Sequence, residues 1–276
     1  MIQKAILITG CSTGIGYACA IGLKQRGYRV LATARKPADI KRLKDEGLEA
    51  LMLDYASSAS VQACAAEVAE RTGGKLFALF NNGAYGQPGA VEDLTRKALE
   101  QQFAANFFGY HELTTLCLPM MRNLGEGRIV QCSSVLGLLA LKWRGAYNAS
   151  KFALEGLSDT MRLELKPFNI KVITINPGPI ESRFTQNAMA AFDRNIEAKK
   201  SHYANEYVGQ RKRLERGGKG RFKLPAEAVL GKLILALEKP NPSPHYYVTT
   251  PTYVVAAARR LLPQGLLDKF ADRNSK

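Results

Sequence analysis

The stretch AILITGCSTGIG, residues 5–16, decides how the rest of the chain folds. An apolar segment runs into a turn that carries glycines at positions 10, 14 and 16, and a helical pattern follows. Gly10 permits a tight turn, Gly14 lets a pyrophosphate approach the backbone, and Gly16 lets the helix pack closely on a sheet. Free N–H groups at the start of such a helix bind phosphate. The stretch therefore predicts the first βα unit of a dinucleotide-binding fold.

Apolar, strand-like segments alternate with helical ones along the first two thirds of the chain. This pattern is typical of a parallel sheet that is covered on both faces. We therefore expect one domain, 1–276, with a doubly wound, mostly parallel seven-stranded α/β sheet. Strands are expected at 5–9, 28–33, 49–54, 75–82, 127–134, 170–178 and 245–250, and helices at 17–27, 61–74, 96–121, 146–166 and 227–237.

The last third of the chain is less regular. Residues 183–224 show no clear period and are expected to form a variable region. Residues 252–276 contain an amphipathic pattern, which predicts a helical tail interrupted by Pro263 and Gly265.

Composition places the chain among ordinary globular proteins, with 46% hydrophobic and 23% charged residues. The five cysteines are scattered and odd in number, which favours reduced thiols and a cytoplasmic protein over a disulfide framework. The N-terminus lacks the pattern of a signal peptide, and no apolar run approaches the roughly 20 residues of a membrane span. The three histidines lack ligand spacing, so no metal site is expected.

The net charge of +15 raises the question of an anionic partner. Part of the excess lies at Lys199–Lys200 and in QRKRLERGGKGRFK, residues 210–223. Nucleic acid or a membrane face would suit this charge, whereas a solvated basic segment needs no partner. The stretch has no interleaved aromatic residues and matches no nucleic-acid module, so no nucleic-acid partner is expected.

The end of the second strand bears on which dinucleotide would bind. A carboxylate there would bond the adenine ribose and repel a 2′-phosphate. Ala34 stands at that position and Arg35 follows, and an arginine can donate two parallel hydrogen bonds to a phosphate. Ser12 and Thr13 add hydroxyl donors, so we infer NADP(H) over NAD(H). Asp54 either reaches the adenine amino group or caps the next helix.

Tyr147 and Lys151 lie four residues apart in a predicted helix and so share one face. A cation beside a phenol stabilises the phenolate, which lowers the tyrosine pKa toward working pH. Taken alone, the pair is better explained as an ordinary surface pair of a helix, because Y-x-x-x-K occurs often by chance.

The chain resembles the short-chain dehydrogenase/reductase family because it carries a set of the family's motifs in the same order. These motifs lie within roughly residues 4 to 182, and the rest of the chain resembles the family more loosely. The motifs are Thr9–Gly16, NNGA at 81–84, Asn106, SSVLG at 133–137, Tyr147-x-x-x-Lys151 and PGPIES at 177–182. The combination looks similar to bacterial NADP-dependent aldehyde reductases, which are related to the 17β-hydroxysteroid and retinol dehydrogenase branch. The family usually has Asn-Asn-Ala-Gly where this chain has Asn81-Asn82-Gly83-Ala84.

The resemblance assigns roles to four catalytic residues. Tyr147 would exchange a proton with the substrate oxygen, and Lys151 would also contact the ribose hydroxyls of the cofactor. The spacing of the family serine selects Ser134 rather than Ser133 for orienting the substrate, and Asn106 would anchor a water in a proton relay. The resemblance also implies a set of cofactor contacts: Gly10, Ser12, Thr13, Gly14, Ile15, Gly16, Arg35, Asp54, Asn81, Gly83, Tyr147, Lys151, Pro177, Ile180 and Ser182.

The function implied is hydride transfer between NADP(H) and a hydrophobic aldehyde or ketone, or the reverse alcohol oxidation. Largely apolar stretches, Leu136 to Trp143, Tyr85 and Phe184 onward, would form the substrate wall, with 183–224 as substrate loop. One alternative is a dehydrogenase of lipid-like substrates that docks on a membrane or anionic surface through the tail. Another is an inactive NADP-sensing scaffold. A dimer or tetramer is implied by the family alone.

Overall fold

The computed structural model describes residues 3–215 and 222–275, so 216–221 of the basic stretch lie outside the described part. Its strands are β1 (Ala5–Ile8), β2 (Arg29–Ala34), β3 (Glu49–Met52), β4 (Ala78–Asn81), β5 (Gly127–Cys132), β6 (Ile170–Asn176) and β7 (His245–Tyr247). These seven strands form one sheet in the order β3-β2-β1-β4-β5-β6-β7, and every neighbouring pair is parallel. The expected doubly wound α/β domain is thereby confirmed.

Helices cover both faces of the sheet. They are α1 (Gly14–Gln25), α2 (Pro37–Asp45), α3 (Ser58–Thr72), α4 (Arg96–Phe103), α5 (Gly109–Leu124), α6 (Gly145–Glu164), α7 (Phe184–Asn195), α8 (Ala204–Glu215), α9 (Glu227–Glu238), α10 (Thr250–Leu261) and α11 (Gln264–Asn274). Both faces need cover because alternate strand residues point to opposite sides. In β1, Ile6 and Ile8 pack with α1 and α9 on one face, whereas Leu7 packs with α3, α5 and α6 on the other.

Two expectations about helices are wrong in detail. The helix expected over 96–121 is divided by a π-helical turn, Ala104–Phe108, which separates α4 from α5. The described residues of the expected variable region, 183–215 and 222–224, are more regular than expected, because Phe192 of α7 and Tyr207 of α8 bury their rings against Ala90 in a separate apolar cluster. Local sequence period does not report such long-range packing.

The C-terminal tail folds back onto the domain as two helices, broken at Pro263 as expected, whereas Gly265 lies inside α11 and does not interrupt it. Val255 and Leu267 are buried against Leu139, while Leu261 at the break is 79% exposed. Across the described residues, none of the helices has the length and hydropathy to cross a membrane. All five cysteines are free and buried.

The strand order reverses between β1 and β4, since β2 and β3 lie on one side of β1 and the later strands lie on the other. In an open parallel sheet, a crevice forms beyond the carboxyl ends of the strands at this reversal. The fold therefore places its main ligand crevice where Gly10 and Gly83 follow β1 and β4.

We expect Gly109→Ala to destabilise the fold by about 1–3 kcal/mol, the usual cost of overpacking. A Cβ at Gly109 would clash with the backbone oxygen of Tyr55 and lie 2.6 Å from its Cβ. Urea unfolding measures the change. The control is Gly156→Ala, in an exposed part of α6 with nothing within 4 Å of an added Cβ. This control should gain about 0.5–1 kcal/mol from helix propensity, and equal losses in both variants would contradict the prediction.

Candidate active site

A cavity of about 710 Å³ opens at the carboxyl ends of β1, β2, β4, β5 and β6. It is lined by most of the residues that the sequence singles out: Gly10, Ser12, Thr13, Gly14, Ile15, Arg35, Asp54, Gly83, Ser134, Tyr147, Lys151, Pro177, Ile180 and Ser182. Gly16, Asn81 and Asn106 do not line it.

The glycine turn after β1 is shaped to approach a ligand closely. Gly10 and Gly14 have φ of 69° and 60°, a conformation that side chains other than glycine rarely adopt. A Cβ on Gly10 would lie 2.5 Å from Gly83 Cα, so the turns after β1 and β4 meet backbone to backbone. Thr13 precedes α1 and makes no side-chain capping bond. The first N–H groups of α1 therefore face the cavity without a cap, as an anion site at a helix N-terminus requires.

Thr9 fastens the two turns together. Its hydroxyl accepts hydrogen bonds from the backbone N–H of Asn82 at 2.8 Å and of Gly83 at 3.1 Å. The Tyr55 hydroxyl lies 2.9 Å from the same Thr9 oxygen, and Asn82 Nδ2 donates to Thr9 O at 2.9 Å. The exchanged order Gly83-Ala84 thus keeps the close approach. Sequence reasoning missed Tyr55, for which no local pattern gives a signal.

Asn81 does not point into the cavity, although the resemblance implies a cofactor contact there. Its side chain is fully buried and bonds Tyr55, Thr114 and Gln131. Because its side chain is spent on these three partners, Asn81 supports the turn from within the protein and does not line the cavity.

The end of β2 presents positive charge to the cavity. Arg35 lines it, and within the described residues no acidic side chain pairs with Arg35. Arg42, which sequence reasoning missed, donates to Ser12 O at 2.7 Å and steadies the glycine turn. Asp54 lines the cavity and also accepts from the N–H of Ala56 at 3.0 Å, so it closes the turn that leads into α3.

Tyr147 lies on α6 with its ring packed against Phe184, at a centroid distance of 5.4 Å. Burial raises the pKa of the Tyr147 phenol, while a hydrogen bond with Ser134 lowers it in part. The expectation that Lys151 brings this pKa down is therefore wrong for the protein without a cofactor. The Lys151 ammonium stays 5.7 Å from the ring centroid and is engaged elsewhere.

Lys151 is the most unusual charged group of the site because it is only 1% exposed. Its Nζ donates to Cys132 O at 2.7 Å and lies 5.2 Å from the ring centroid of Tyr110. Burial lowers the Lys151 pKa to about 8, with Cys132 and Glu155 acting in the opposite direction. A lysine with such a pKa in a cleft indicates a functional site.

Ser134 and Asn106 connect this pair to the neighbouring loops. Ser134 accepts from the N–H of Leu136 at 3.1 Å and shares a hydrogen bond with Tyr147, whereas the buried Ser133 hydroxyl has no partner among the described residues. Ser134 is thus the serine in contact with Tyr147, and its role in orienting a substrate stays a prediction. Asn106 lies in the π-helical turn and bonds both the N–H and the carbonyl of Tyr85, at 3.2 and 2.9 Å. It holds the loop after β4 in place.

Arg183 and Arg211 also line the cavity, but part of its wall is apolar. Leu136, Leu141, Trp143, Phe184 and Phe192 contribute to it. Trp143 has a φ of 65°, and its carbonyl accepts from the N–H of Gly89 at 3.0 Å. Strained backbone of this kind persists where its surroundings hold it, and the rings of Tyr203 and Tyr207 flank the indole at 4.9 and 5.9 Å.

Comparison with known proteins shows close relatives along the whole chain. Oxidoreductase YbbO of Escherichia coli is 42% identical over 98% of this chain and 94% of its own length. A 3-ketodihydrosphingosine reductase of Bacteroides thetaiotaomicron is 34% identical over 78% of this chain and 77% of its own.

Among solved structures, a short-chain dehydrogenase/reductase of Burkholderia phymatum in complex with NAD is similar. It matches with a TM-score of 0.78 and 25% identity, over 94% of this chain and 92% of that one. Residues 4–192 match the family described as short chain dehydrogenase. The chain belongs to the short-chain dehydrogenase/reductase family and is an oxidoreductase with an NAD(P)-binding fold.

Proposed function

We propose that the protein is an NADPH-dependent reductase of hydrophobic aldehydes or ketones that also runs the reverse alcohol oxidation. The observation that carries this proposal is the convergence of Ser134, Tyr147 and Lys151 in one cavity with the glycine turn. A scaffold that only senses nucleotide would not need a buried lysine beside a buried phenol.

The nucleotide would lie along the edge from the glycine turn to α6. The bare N-terminus of α1 and the small residues at Gly10 and Gly83 fit a pyrophosphate and a ribose, and Arg35 fits a 2′-phosphate. Pro177, Ile180 and Ser182 would hold the nicotinamide end. When bound, the nucleotide would supply or accept the hydride.

The chain's own residues would handle the proton. Tyr147 donates it to the carbonyl oxygen during reduction, and Ser134 holds that oxygen through its hydroxyl. Lys151 stabilises the phenolate that remains and binds the ribose hydroxyls. Because burial alone raises the Tyr147 pKa, bound cofactor and a cationic Lys151 must both favour the phenolate for turnover. Asn106 would contribute a water to return the proton.

The apolar wall favours substrates with a hydrophobic body over sugars. The name of the Bacteroides relative, a reductase of 3-ketodihydrosphingosine, is consistent with a lipid-like ketone. Docking on a membrane surface stays a separate prediction. It would use the exposed Leu261 and Leu262, which lie next to Arg259 and Arg260. Assembly into a dimer or tetramer likewise stays a prediction.

Tyr147→Phe should lower kcat at least 100-fold in NADPH oxidation with an aldehyde panel, because it removes the proton donor and keeps the ring. NADPH affinity should stay within a few-fold. Tyr246→Phe is the control, since Tyr246 is also buried but does not line the cavity. If Tyr147→Phe turned over substrate about as fast as the control, Tyr147 would not be the proton donor.

Arg35→Ala should weaken NADPH binding about 10- to 100-fold, the loss of a charge-assisted hydrogen bond of roughly 1.5–3 kcal/mol. NADH binding should change little. Fluorescence titration with both nucleotides measures the ratio. Lys41→Ala is the control because Lys41 pairs with Asp45 outside the cavity. If the affinities for NADPH and NADH fell equally, Arg35 would not be the residue that recognises the 2′-phosphate.

Lys151→Met should change stability in a pH-dependent way. The unfolded lysine keeps its proton up to a pKa near 10.5, whereas the folded one loses it near 8. Between these values the unfolded state binds more protons, so wild type should gain stability over the variant as pH rises from 8 to 10, by up to about 3 kcal/mol. Below pH 8 the difference should be flat. Urea unfolding at several pH values tests this, and a pH-independent difference would contradict it.

A further inference from the structure

A buried polar cluster lies behind the cavity, between α6, β6 and β7. Its members are Glu155, Asn176, Thr174 and His245, and none of them lines the cavity. Glu155 is 9% exposed and Asn176 is fully buried. Burying a carboxylate is costly unless hydrogen bonds or charges compensate for it, so the contacts that Glu155 makes are informative.

Asn176 links Glu155 to the proposed catalytic serine. Its Nδ2 donates to Glu155 Oε1 at 2.5 Å and to the backbone carbonyl of Ser134 at 3.3 Å. Its Oδ1 accepts from the Thr174 hydroxyl at 3.3 Å, which leaves the amide one orientation. The carboxylate on α6 therefore holds the amide that bonds the Ser134 backbone, two residues past the end of β5.

Glu155 also stands four residues after Lys151 on α6, so both occupy the same face. The groups that face Lys151 are the carbonyl and thiol of Cys132 and the rings of Tyr110 and Tyr147. Burial raises the Cys132 pKa to about 11, so that thiol is neutral at ordinary pH. Glu155 is the carboxylate whose coulombic effect raises the Lys151 pKa and so favours the ammonium form.

The outer end of the cluster approaches the surface at β7. His245 Nδ1 lies 2.7 Å from the Thr174 hydroxyl and 3.7 Å from Glu155 Oε2. Its Nε2 lies 3.9 Å from Asp159, which also pairs with Arg162 at 2.5 Å. Asp159 is 54% exposed, so solvent screens it, whereas Glu155 is shielded.

We propose that Glu155 is a positioning residue for the reaction proposed above. Its carboxylate orients the Asn176 amide that anchors the Ser134 backbone, and its charge keeps the buried Lys151 ammonium protonated beside Tyr147. The inference rests on the proposed function for its effect on turnover, but the charge on Lys151 is open to a test that needs no turnover.

Glu155→Gln keeps the shape and removes the charge. It should lower kcat about 10-fold at pH 7 with little change in KM, since it leaves the cavity lining intact. The alkaline limb of the kcat profile should move down by about one pH unit, because Lys151 then loses its proton more easily. Asp159→Asn is the matched control, one turn along α6, and its profile should superimpose on that of wild type.

Asn176→Leu separates the two effects, because it removes both donors and keeps Glu155. It should lower kcat and leave the alkaline limb within about 0.3 pH units of wild type, far less than the shift expected on losing the Glu155 charge. A Glu155→Gln profile that superimposes on those of wild type and Asp159→Asn would overturn the proposal.

A readout independent of turnover is the pH dependence of unfolding. The difference in unfolding free energy between wild type and Lys151→Met should turn upward near pH 8. The corresponding difference between Glu155→Gln and the double variant Glu155→Gln/Lys151→Met should start to rise at a pH about one unit lower. An unchanged turning point overturns the proposal. If wild type reduces no carbonyl at all, the proposed function fails, and the unfolding series still decides the role of Glu155.

Discussion

The hydrogen bond from the Lys151 ammonium to the Cys132 carbonyl is the interaction on which the site depends. It joins α6 to the last residue of β5 inside the protein, where an unpaired charge would be costly. A shift of α6 along its axis would break this bond, so the bond sets the register of the helix against the sheet. Tyr147, one turn earlier, is thereby brought to Ser134 just past the same strand.

A second constraint acts at the other end of the cavity and involves no charge. Gly10 and Gly83 bring two backbones into contact, and Thr9 bonds both turns. The Gly10–Gly83 contact leaves no room for side chains where the pyrophosphate would lie. The Lys151–Cys132 bond fixes the position of Tyr147 and Ser134 at the other end of the cavity. Both sets of contacts are made at the ends of neighbouring strands of one sheet. The order of β1, β4 and β5 in the sheet therefore sets the distance between the glycine turn and the Lys151–Cys132 bond.

Much of the fold and part of the site were predictable from local pattern. Period and glycine placement predicted all seven strands and their parallel arrangement. Motif spacing named Ser134, Tyr147 and Lys151, which line one cavity. Features that depend on distant contacts were not predictable. The π-helical turn around Asn106, the packing of Tyr207 on Ala90 and the inward direction of Asn81 all follow from partners remote in sequence. The raised Tyr147 pKa likewise follows from burial, which spacing does not report.

The left-handed conformation of Trp143 has a consequence for how this protein's selectivity can diverge. Tyr203 and Tyr207, which flank the indole, come from the segment around α8 and contribute nothing to the sheet. Substitution of Tyr203 or Tyr207 would let Trp143 adopt a less strained backbone conformation. It would thereby change the shape of the cavity wall to which Trp143 belongs. The α6 residues that we propose transfer the proton, Tyr147 and Lys151, would keep their framework. Substrate range and chemistry are therefore separable traits in this molecule, open to independent change by drift or by design.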